Sequence, residues 1–482
     1  MKVMYRKTSL LLITAIAVML LFTQVVWAAS PTVQQVRYRL APEKVRIVFD
    51  MDALPDYNVT LINKDPNKPD EYSQLVIEMQ GAIKPDVLPE MAFNDPVVGG
   101  LHLSETEQGN IRAAIDLKAA VMYKVFTLSG PNRLVIDIIK GYGQKIQQEI
   151  MPGINYTYWF YGTQVGPIAA HILDVNPQNG LIMKPVLSNN AIHGLETLSP
   201  MAERAGAIAA VNGSYFALNG DILGLLKIDG QIVSTPGLPR TAMGVLPDGQ
   251  LIIDQVDYKG SVEIPGGQVV QINGVDCERG PDSLVLYNEK YNTSTNSNQY
   301  GIEYSIVDDK VAAISPYNTP IVPGSVVLSA HGAAAKALCN LKVGDKVKIT
   351  QTLGSDVWDK TVFALGAGPM LVKDGNVFLT TKTEEFGSDV AGGRAPRTAL
   401  GLTKDGHIIL AVIDGRQSHS VGLTLLELAR FMQELGAVDA MNLDGGGSSE
   451  MVVDGKIVNK PSDGRERRVG DALVIISARL AN

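Results

Sequence analysis

Two textures of apolar and polar positions divide this chain. From Val33 to Lys140 apolar and polar residues alternate in short runs rich in β-branched side chains, a period-2 pattern that predicts strands. The pattern is written twice. Val45-Arg46-Ile47-Val48-Phe49-Asp50 followed by Tyr57-Asn58-Val59 returns as Ile111-Arg112-Ala113-Ala114-Ile115-Asp116 followed by Tyr123-Lys124-Val125. Each half then closes on an apolar strand, Leu75-Val76-Ile77-Glu78 and Leu134-Val135-Ile136-Asp137. Two similar halves of strands predict a small β-sandwich over residues 33–140. A polar stretch with Gly141, Gly143 and the glutamines Gln144, Gln147 and Gln148 reads as a linker over 141–155.

From there the texture changes. A short helix beginning near Ser199-Pro200 and ending at Gly206 leads into the apolar strand Ala207–Val211, which runs into Asn212-Gly213-Ser214-Tyr215-Phe216. The same order returns later. Thr424 and Glu427 form a capping box, the helix carries a stripe of Leu425, Leu428, Ala429, Met432 and Leu435, and it stops at Gly436. The strand Ala437–Met441 then runs into Asn442-Leu443-Asp444-Gly445-Gly446-Gly447-Ser448-Ser449. A second echo pairs Pro239-Arg240-Thr241-Ala242-Met243-Gly244 with Pro396-Arg397-Thr398-Ala399-Leu400-Gly401. These repeats predict two related halves around one core, with a polar site where strand ends meet. Residues from about 254 to 361 are strand-like with Gly/Asn/Ser-rich turns and read as a β-rich insertion. The expected architecture is α+β: an N-terminal β-sandwich, then a mixed α/β two-half catalytic domain over 156–482.

The first residues change the picture of where the chain works. Lys2, Arg6 and Lys7 precede an apolar run from Leu10 to Val26, and Ala28, Ala29 and Ser30 close it. Residues 1–29 therefore read as a signal peptide or an uncleaved N-terminal anchor, and either sends the remainder out of the cytosol to the cell envelope or beyond. No second spanning segment follows. The net charge of −8 comes without a basic stripe, which excludes nucleic acid as the expected partner. Two cysteines, Cys277 and Cys339, make neither a disulfide framework nor a metal site, though in an exported chain they could pair.

Candidate chemistry has to be separated from turns. Five Asp-Gly pairs, at Asp229, Asp248, Asp374, Asp405 and Asp454, sit between apolar runs and predict type I′ hairpins. Asp414-Gly415-Arg416-Gln417 differs, because it follows the continuous apolar strand Ile408–Ile413 and leads toward a helix. Asn442 to Ser449 differs more. Three glycines are costly to order, and their exposed N–H groups, with Ser448 and Ser449, suit an anion nest. Pro461-Ser462-Asp463-Gly464-Arg465-Glu466-Arg467-Arg468 packs three arginines into four positions, suited to clamping phosphate. The six histidines show no paired metal-ligand spacing and read as satisfied core or surface residues.

Taken in this order, Asn212–Phe216, Arg397–Gly401, Asp414–Gln417, the capped helix, Asn442–Ser449 and Pro461–Arg467 resemble the phosphodiester glycosidase family, across roughly Ala191 to the C-terminus. Glu450 departs from the smaller or neutral residue expected after the serine pair. The N-terminal half, on its Arg-x-x-x-Asp, Tyr-x-Val and closing-strand motifs, resembles the AMIN domain, which implies a sandwich that binds peptidoglycan or another cell-wall polymer. The first resemblance implies an exported hydrolase that cleaves the C1–O bond of a sugar-1-phosphodiester. It assigns Asp414 and Asp444 as nucleophile or general base, in either order. Asn212, Tyr215, Arg397, Thr398, Arg416, Asn442, Gly445, Gly446, Gly447, Ser448, Ser449 and Arg465 are the expected substrate-binding set. A departing phosphate monoester is a weak base, so such a site needs less general-acid help than an ordinary glycosidase. Two other readings stand beside this one: a non-catalytic glycan-binding protein, and a metal-dependent phosphodiesterase cutting P–O, with carboxylates holding a hard cation such as calcium.

Overall fold

The computed structural model describes residues 30–478 apart from 42–43, 63–71, 96, 119–120, 141–143, 164–165 and 418. The export segment expected at 1–29 lies outside the described residues. Two units emerge, residues 1–142 and 143–482.

In the first unit two five-stranded sheets share one core. The sequence repeat explains how. Lys44–Met51 from the first half pairs with Arg133–Ile139 from the second, and Ser73–Gln80 from the first pairs with Asn110–Leu117 from the second. Each half thus gives its closing strand to the other half's sheet. Ile47, Phe49, Leu75, Ile77, Ile111, Ile115, Leu134 and Ile136 are fully buried between the sheets. The repeated arginine has a defined role at its first occurrence: Arg46 donates two hydrogen bonds, at 2.6 and 2.7 Å, to Asp137 directly across the strand pair.

In the second unit the mixed α/β expectation is overturned. About half of the structure is strand and a tenth helix, and its strand pairs are antiparallel apart from Gly274–Val275 against Leu284–Tyr287. An eight-stranded sheet runs Gln144–Met151, Ile154–Thr163, Gly166–Val175, Ile408–Ile413, Arg397–Thr403, Ala437–Asn442, Met370–Lys373, Asn376–Val377. A five-stranded sheet runs Leu181–Leu187, Asp471–Ser477, Ala209–Asn212, Met451–Val453, Lys456–Ile457, and another is centred on Phe363–Gly366. One core joins all three. Every residue of the apolar strand Ile408–Ile413 is buried. Here it is buried by an antiparallel arrangement, with the shared core on one face and the helix Leu425–Glu434 on the other.

The expected linker is also corrected. Gln144–Met151 is an edge strand paired with Ile154–Thr163, and it reads as a linker because six of its eight positions face solvent. The capping box forms as Thr424 and Glu427 predict. The earlier short helix starts instead at Leu198, with Thr197 as its cap residue. All five Asp-Gly pairs lie in hairpins, but only Asp229, Asp374 and Asp454 have positive φ. At Asp248 and Asp405 the left-handed residue is the glycine alone, and the turns close by Leu246 N to Gln250 O and Thr403 N to His407 O. The 254–361 stretch contains a three-stranded and a five-stranded sheet, packed in a core shared with Leu225, Ile232, Ala242 and Ala364 outside it. Cys277 and Cys339 are free, and burial pushes the Cys277 thiol up to about 12.

Candidate active site

The two Asn-containing echoes end in loops that meet. Strand Ala209–Asn212 and strand Ala437–Asn442 belong to different sheets, yet their following residues interlock. Asn212 Nδ2 donates to the Asp444 carbonyl at 2.7 Å, Asp444 N–H donates to Gly213 O at 3.0 Å, and Asn442 Nδ2 donates to the Tyr215 hydroxyl at 2.9 Å. Thr398 adds a third strand end by donating from Oγ1 to Asn212 Oδ1 at 2.8 Å. Asn212, Thr398 and Asn442 are all buried, so each is a brace for the loops. Tyr215 donates to Gly368 O at 3.1 Å, and its ring lies tilted against Phe386 with centroids 5.7 Å apart.

The glycine-rich loop turns in a short 3-10 segment, Gly446–Ser448. Two of its glycines lie against arginine side chains. A Cβ on Gly446, whose φ is +64°, would lie 3.3 Å from Arg416 Nη1, and one on Gly447 would lie 2.0 Å from Arg467 Nη2. Two guanidiniums therefore rest on this loop. Arg416 itself has φ +58°, unusual for a side chain of its size. Arg467 donates to Asp463 at 2.8 Å. Arg465, expected to bind phosphate, is exposed, and the arginine against the loop is its neighbour Arg467. Arg397 is buried, with its guanidinium donating to the carbonyls of Leu423, Val390 and Gly393.

The two candidate aspartates differ sharply. Asp414 is 2% exposed and surrounded by donors. Its Oδ1 accepts from Asn459 Nδ2 at 3.1 Å and Lys460 N–H at 3.0 Å, while Oδ2 lies 2.9 Å from His419 Nε2 and 3.7 Å from His171 Nε2. Burial alone would raise its pKa, but the two histidines and the Lys460 N–H outweigh that and hold the carboxyl below the usual carboxylate range. Asp444 has fewer partners. Oδ1 accepts from Gly445 N–H at 2.8 Å. Burial pushes it up to about 6, against the opposing pull of Ser448, the Gly445 N–H and Arg467. One aspartate is locked in its ionised form; the other changes protonation near neutral pH.

In the loop segments beside Asp444, the buried atoms Asn442 Oδ1, Ser449 Oγ and Ser462 Oγ have no hydrogen-bond partner within the protein. Buried polar groups are almost always paired, so these atoms have hydrogen-bonding capacity that the protein itself does not use. Glu450, which departs from the smaller or neutral residue expected there, is 1% exposed, and burial with Glu466 nearby pushes its carboxyl up to about 8. Among the described residues, no group of three or more His, Cys, Asp or Glu side chains is gathered as a metal site.

Sequence reasoning missed His171, His419 and Asn459, whose role exists only through their contact with Asp414. Tyr156 extends that contact, its hydroxyl lying 2.8 Å from His171 Nδ1. It also missed Arg240, which lies over the Phe386 ring at 4.4 Å and keeps a buried Nε without a partner. The echo of Arg397 at Arg240 was the available signal.

Residues 292–476 match the sequence profile of the family described as phosphodiester glycosidase. A stretch of 102 residues is 36% identical to N-acetylglucosamine-1-phosphodiester alpha-N-acetylglucosaminidase of Mus musculus, covering 19% of this chain and 20% of that protein. A stretch of 80 residues is 42% identical to the SPbeta prophage-derived uncharacterized protein YomE of Bacillus subtilis, covering 17% of this chain and 12% of that protein. The chain thus spans about a fifth or less of the length of these curated relatives. A hypothetical protein from Synechocystis has the same fold at a TM-score of 0.65 and 21% identity, over 93% of this chain and 80% of that one. The family match is not a folding unit by itself, because strand Asp471–Ser477 pairs with Leu181–Leu187 and Ala209–Asn212, which lie before it. Residues 292–476 match the phosphodiester glycosidase family model and include Arg397, Asp414, Arg416, Asp444 and the glycine loop, while Asn212 and Tyr215, which bond to Asp444 and Asn442, lie in the preceding sequence.

Proposed function

We propose that this protein is an exported hydrolase that cleaves the C1–O bond of a sugar-1-phosphodiester in an envelope or secreted glycan. The observation that carries the proposal is the setting of Asp444. A carboxyl with a pKa of about 6 stands at the head of a loop that carries the unpartnered buried Ser449 hydroxyl, and two guanidiniums rest on that loop. Ser448, Ser449, Arg416 and Arg467 hold the phosphate and stabilise the charge that gathers on it as C–O breaks. The expected nest of loop N–H groups is not free for this, because those of Gly445, Gly446, Ser448 and Ser449 already donate to Asp444, Pro396, Gly445 and Gly446. Asp444, ionised above its pKa, acts on the sugar side as nucleophile or base. Asp414 supplies fixed negative charge and anchors the 459–460 segment.

Hydrolysis in oxygen-18 water tests the bond that breaks. Label in the released sugar is the expected result; label in the phosphate means P–O cleavage and rejects the proposal. No turnover on any sugar phosphodiester supports a glycan-binding protein instead.

Export rests on the sequence of residues 1–29. No helix among the described residues is long and apolar enough to cross a membrane. For the N-terminal unit we propose a cell-wall anchor, on the strength of its duplicated sandwich motif. Isolated residues 33–140 are expected to co-sediment with purified peptidoglycan, and no enrichment over an unrelated β-sandwich leaves only a spacer role.

A further inference from the structure

Asp444 has two neighbourhoods, and the chemistry above uses one of them. Gly445–Gly447 leads from it to Arg416 and Arg467. In the other direction Asn442 Nδ2 donates to the Tyr215 hydroxyl and, at 3.2 Å, to the Gly368 carbonyl, which also accepts from Tyr215. Beside the Tyr215 ring lies Phe386, and over Phe386 lies the Arg240 guanidinium, 4.4 Å from the ring centre. These groups converge on Gly368, whose φ is +82°. A Cβ there would lie 2.5 Å from Glu384 Oε2 and 3.4 Å from the Phe386 ring. Asn442, Tyr215, Phe386 and Arg240 thus form one continuous wall, and none of the last three is fully buried.

The segment that carries Phe386 is fixed on both sides of it. Glu384, itself fully buried, accepts the Thr241 N–H at 3.0 Å and the hydroxyls of Thr241 and Thr380 at 2.5 Å. Arg397 holds the far side through the Val390 and Gly393 carbonyls. A loop pinned in this way presents its side chains in set positions. Arg397 and Arg240 are the paired arginines of the sequence echo, and their surroundings differ. The Arg397 guanidinium is committed to three backbone carbonyls. Among the described residues the Arg240 side chain makes no hydrogen bond or ion pair, and its Nε is buried without a partner. Stacking on a ring occupies the face of a guanidinium and leaves its N–H edge to donate. That planar edge matches the paired oxygens of a carboxylate or phosphate. We propose that Tyr215, Phe386 and Arg240 form the subsite for the sugar, and that this sugar carries a carboxylate or phosphate away from C1, paired with Arg240. The inference rests on the functional reading above for the position of C1 at Asp444, and it adds the substrate class, an acidic sugar.

Three ligands that differ only at C6 test it on the full chain: glucose 1-phosphate, glucuronic acid 1-phosphate and glucose 1,6-bisphosphate, titrated by calorimetry at pH 7. At least one of the acidic pair should bind about 10-fold or more tighter than glucose 1-phosphate, the order of one charge-assisted pair. Which of the two gains more identifies the acid as carboxylate or phosphate. Arg240→Gln should remove the preference and leave glucose 1-phosphate nearly unaltered. Arg240→Lys should keep only part of it, because an ammonium does not reproduce the fork. Equal binding of all three by the native protein overturns the proposal. So does equal weakening of all three by Arg240→Gln, which marks an arginine that only packs on Phe386. No turnover is read, so the result is separate from that of the hydrolase reading. If Arg416→Gln weakens glucose 1-phosphate while Arg240→Gln changes nothing, the phosphate cradle stands and the acidic sugar is rejected. If the Arg240 preference holds while oxygen-18 appears in the phosphate, C–O cleavage is rejected and the subsite stands.

Discussion

Asp444→Asn is expected to lower kcat by roughly 10²-fold or more, the order associated with losing a positioned acid–base group, while the protein holds or gains stability at pH 7. The two effects have one cause. Asp444 is the carboxyl that the fold keeps from ionising easily, with its pKa raised to about 6 by burial. An acid whose folded-state pKa is raised binds its proton more tightly folded than unfolded. Its contribution to stability is therefore full below the unfolded value and falls as pH rises through the folded value. At pH 7 the ionised Asp444 is a cost to the fold, and an uncharged amide of the same shape removes it. Activity and stability should move in opposite directions, as they do where a site is held in an unfavourable state for its chemistry. In the native protein, kcat/KM should fall on the acid side with a midpoint near that same value, as the carboxylate is protonated. Asp405→Asn, at a hairpin far from these contacts in role, is the internal control and should leave kcat nearly unaltered, since its turn takes its left-handed residue from Gly406. Rates measured on folded Asp444→Asn that equal those of the native protein would remove this residue from the mechanism.

How much of this was legible in the sequence depends on how local each cause was. The sandwich repeat, the Thr424–Glu427 cap and the ordering of motifs are written in neighbouring residues, and they reappear as strand pairs, a cap and a set of meeting loops. Strand direction is not local. Ile408–Ile413 is uniformly apolar whether its neighbours run parallel or antiparallel, so the pattern revealed burial and concealed topology. Gln144–Met151 shows the reverse error, an exposed edge strand whose polar run was indistinguishable from a tether. At the site, Asn212, Asp414, Asn442 and Asp444 stood out because glycines and loop position set them apart. The histidines did not, because what distinguishes His171 and His419 from other histidines is a carboxylate that approaches only on folding. Arg465 and Arg467 are two residues apart in one charged run, and only packing against Gly447 selects between them.

Asp414→Asn is expected to act in the opposite way to Asp444→Asn, costing both stability and activity. Both oxygens of Asp414 are occupied, Oδ1 by Asn459 Nδ2 and Lys460 N–H and Oδ2 beside His419 and His171. An amide must turn an N–H toward one of these pairs. Toward Asn459 and Lys460 it meets two donors; toward the histidines it meets a ring nitrogen only if that nitrogen carries no proton. Neither orientation restores four contacts, and removing one partner from a buried, paired charge typically costs about 3–5 kcal/mol. Because Asn459 also donates to the Ser449 carbonyl and accepts the Met451 N–H, the loss is carried straight into the glycine loop. kcat should therefore drop by an amount comparable to that for Asp444→Asn, about 10²-fold, together with a clear fall in the unfolding midpoint. The pH dependence has the opposite sign as well. A carboxyl whose folded pKa is depressed contributes stability that is intact above the unfolded value near 4 and is lost as pH falls toward the folded one. Native protein should lose this contribution progressively below about pH 4, and the Asp414→Asn variant, having none to lose, should show a flatter acid limb in denaturant unfolding. An Asp414→Asn variant with native stability and an unchanged acid limb would mean that the ring of donors around this carboxylate contributes nothing to the fold. The assignment of Asp414 as the ionised anchor of the site would then be withdrawn.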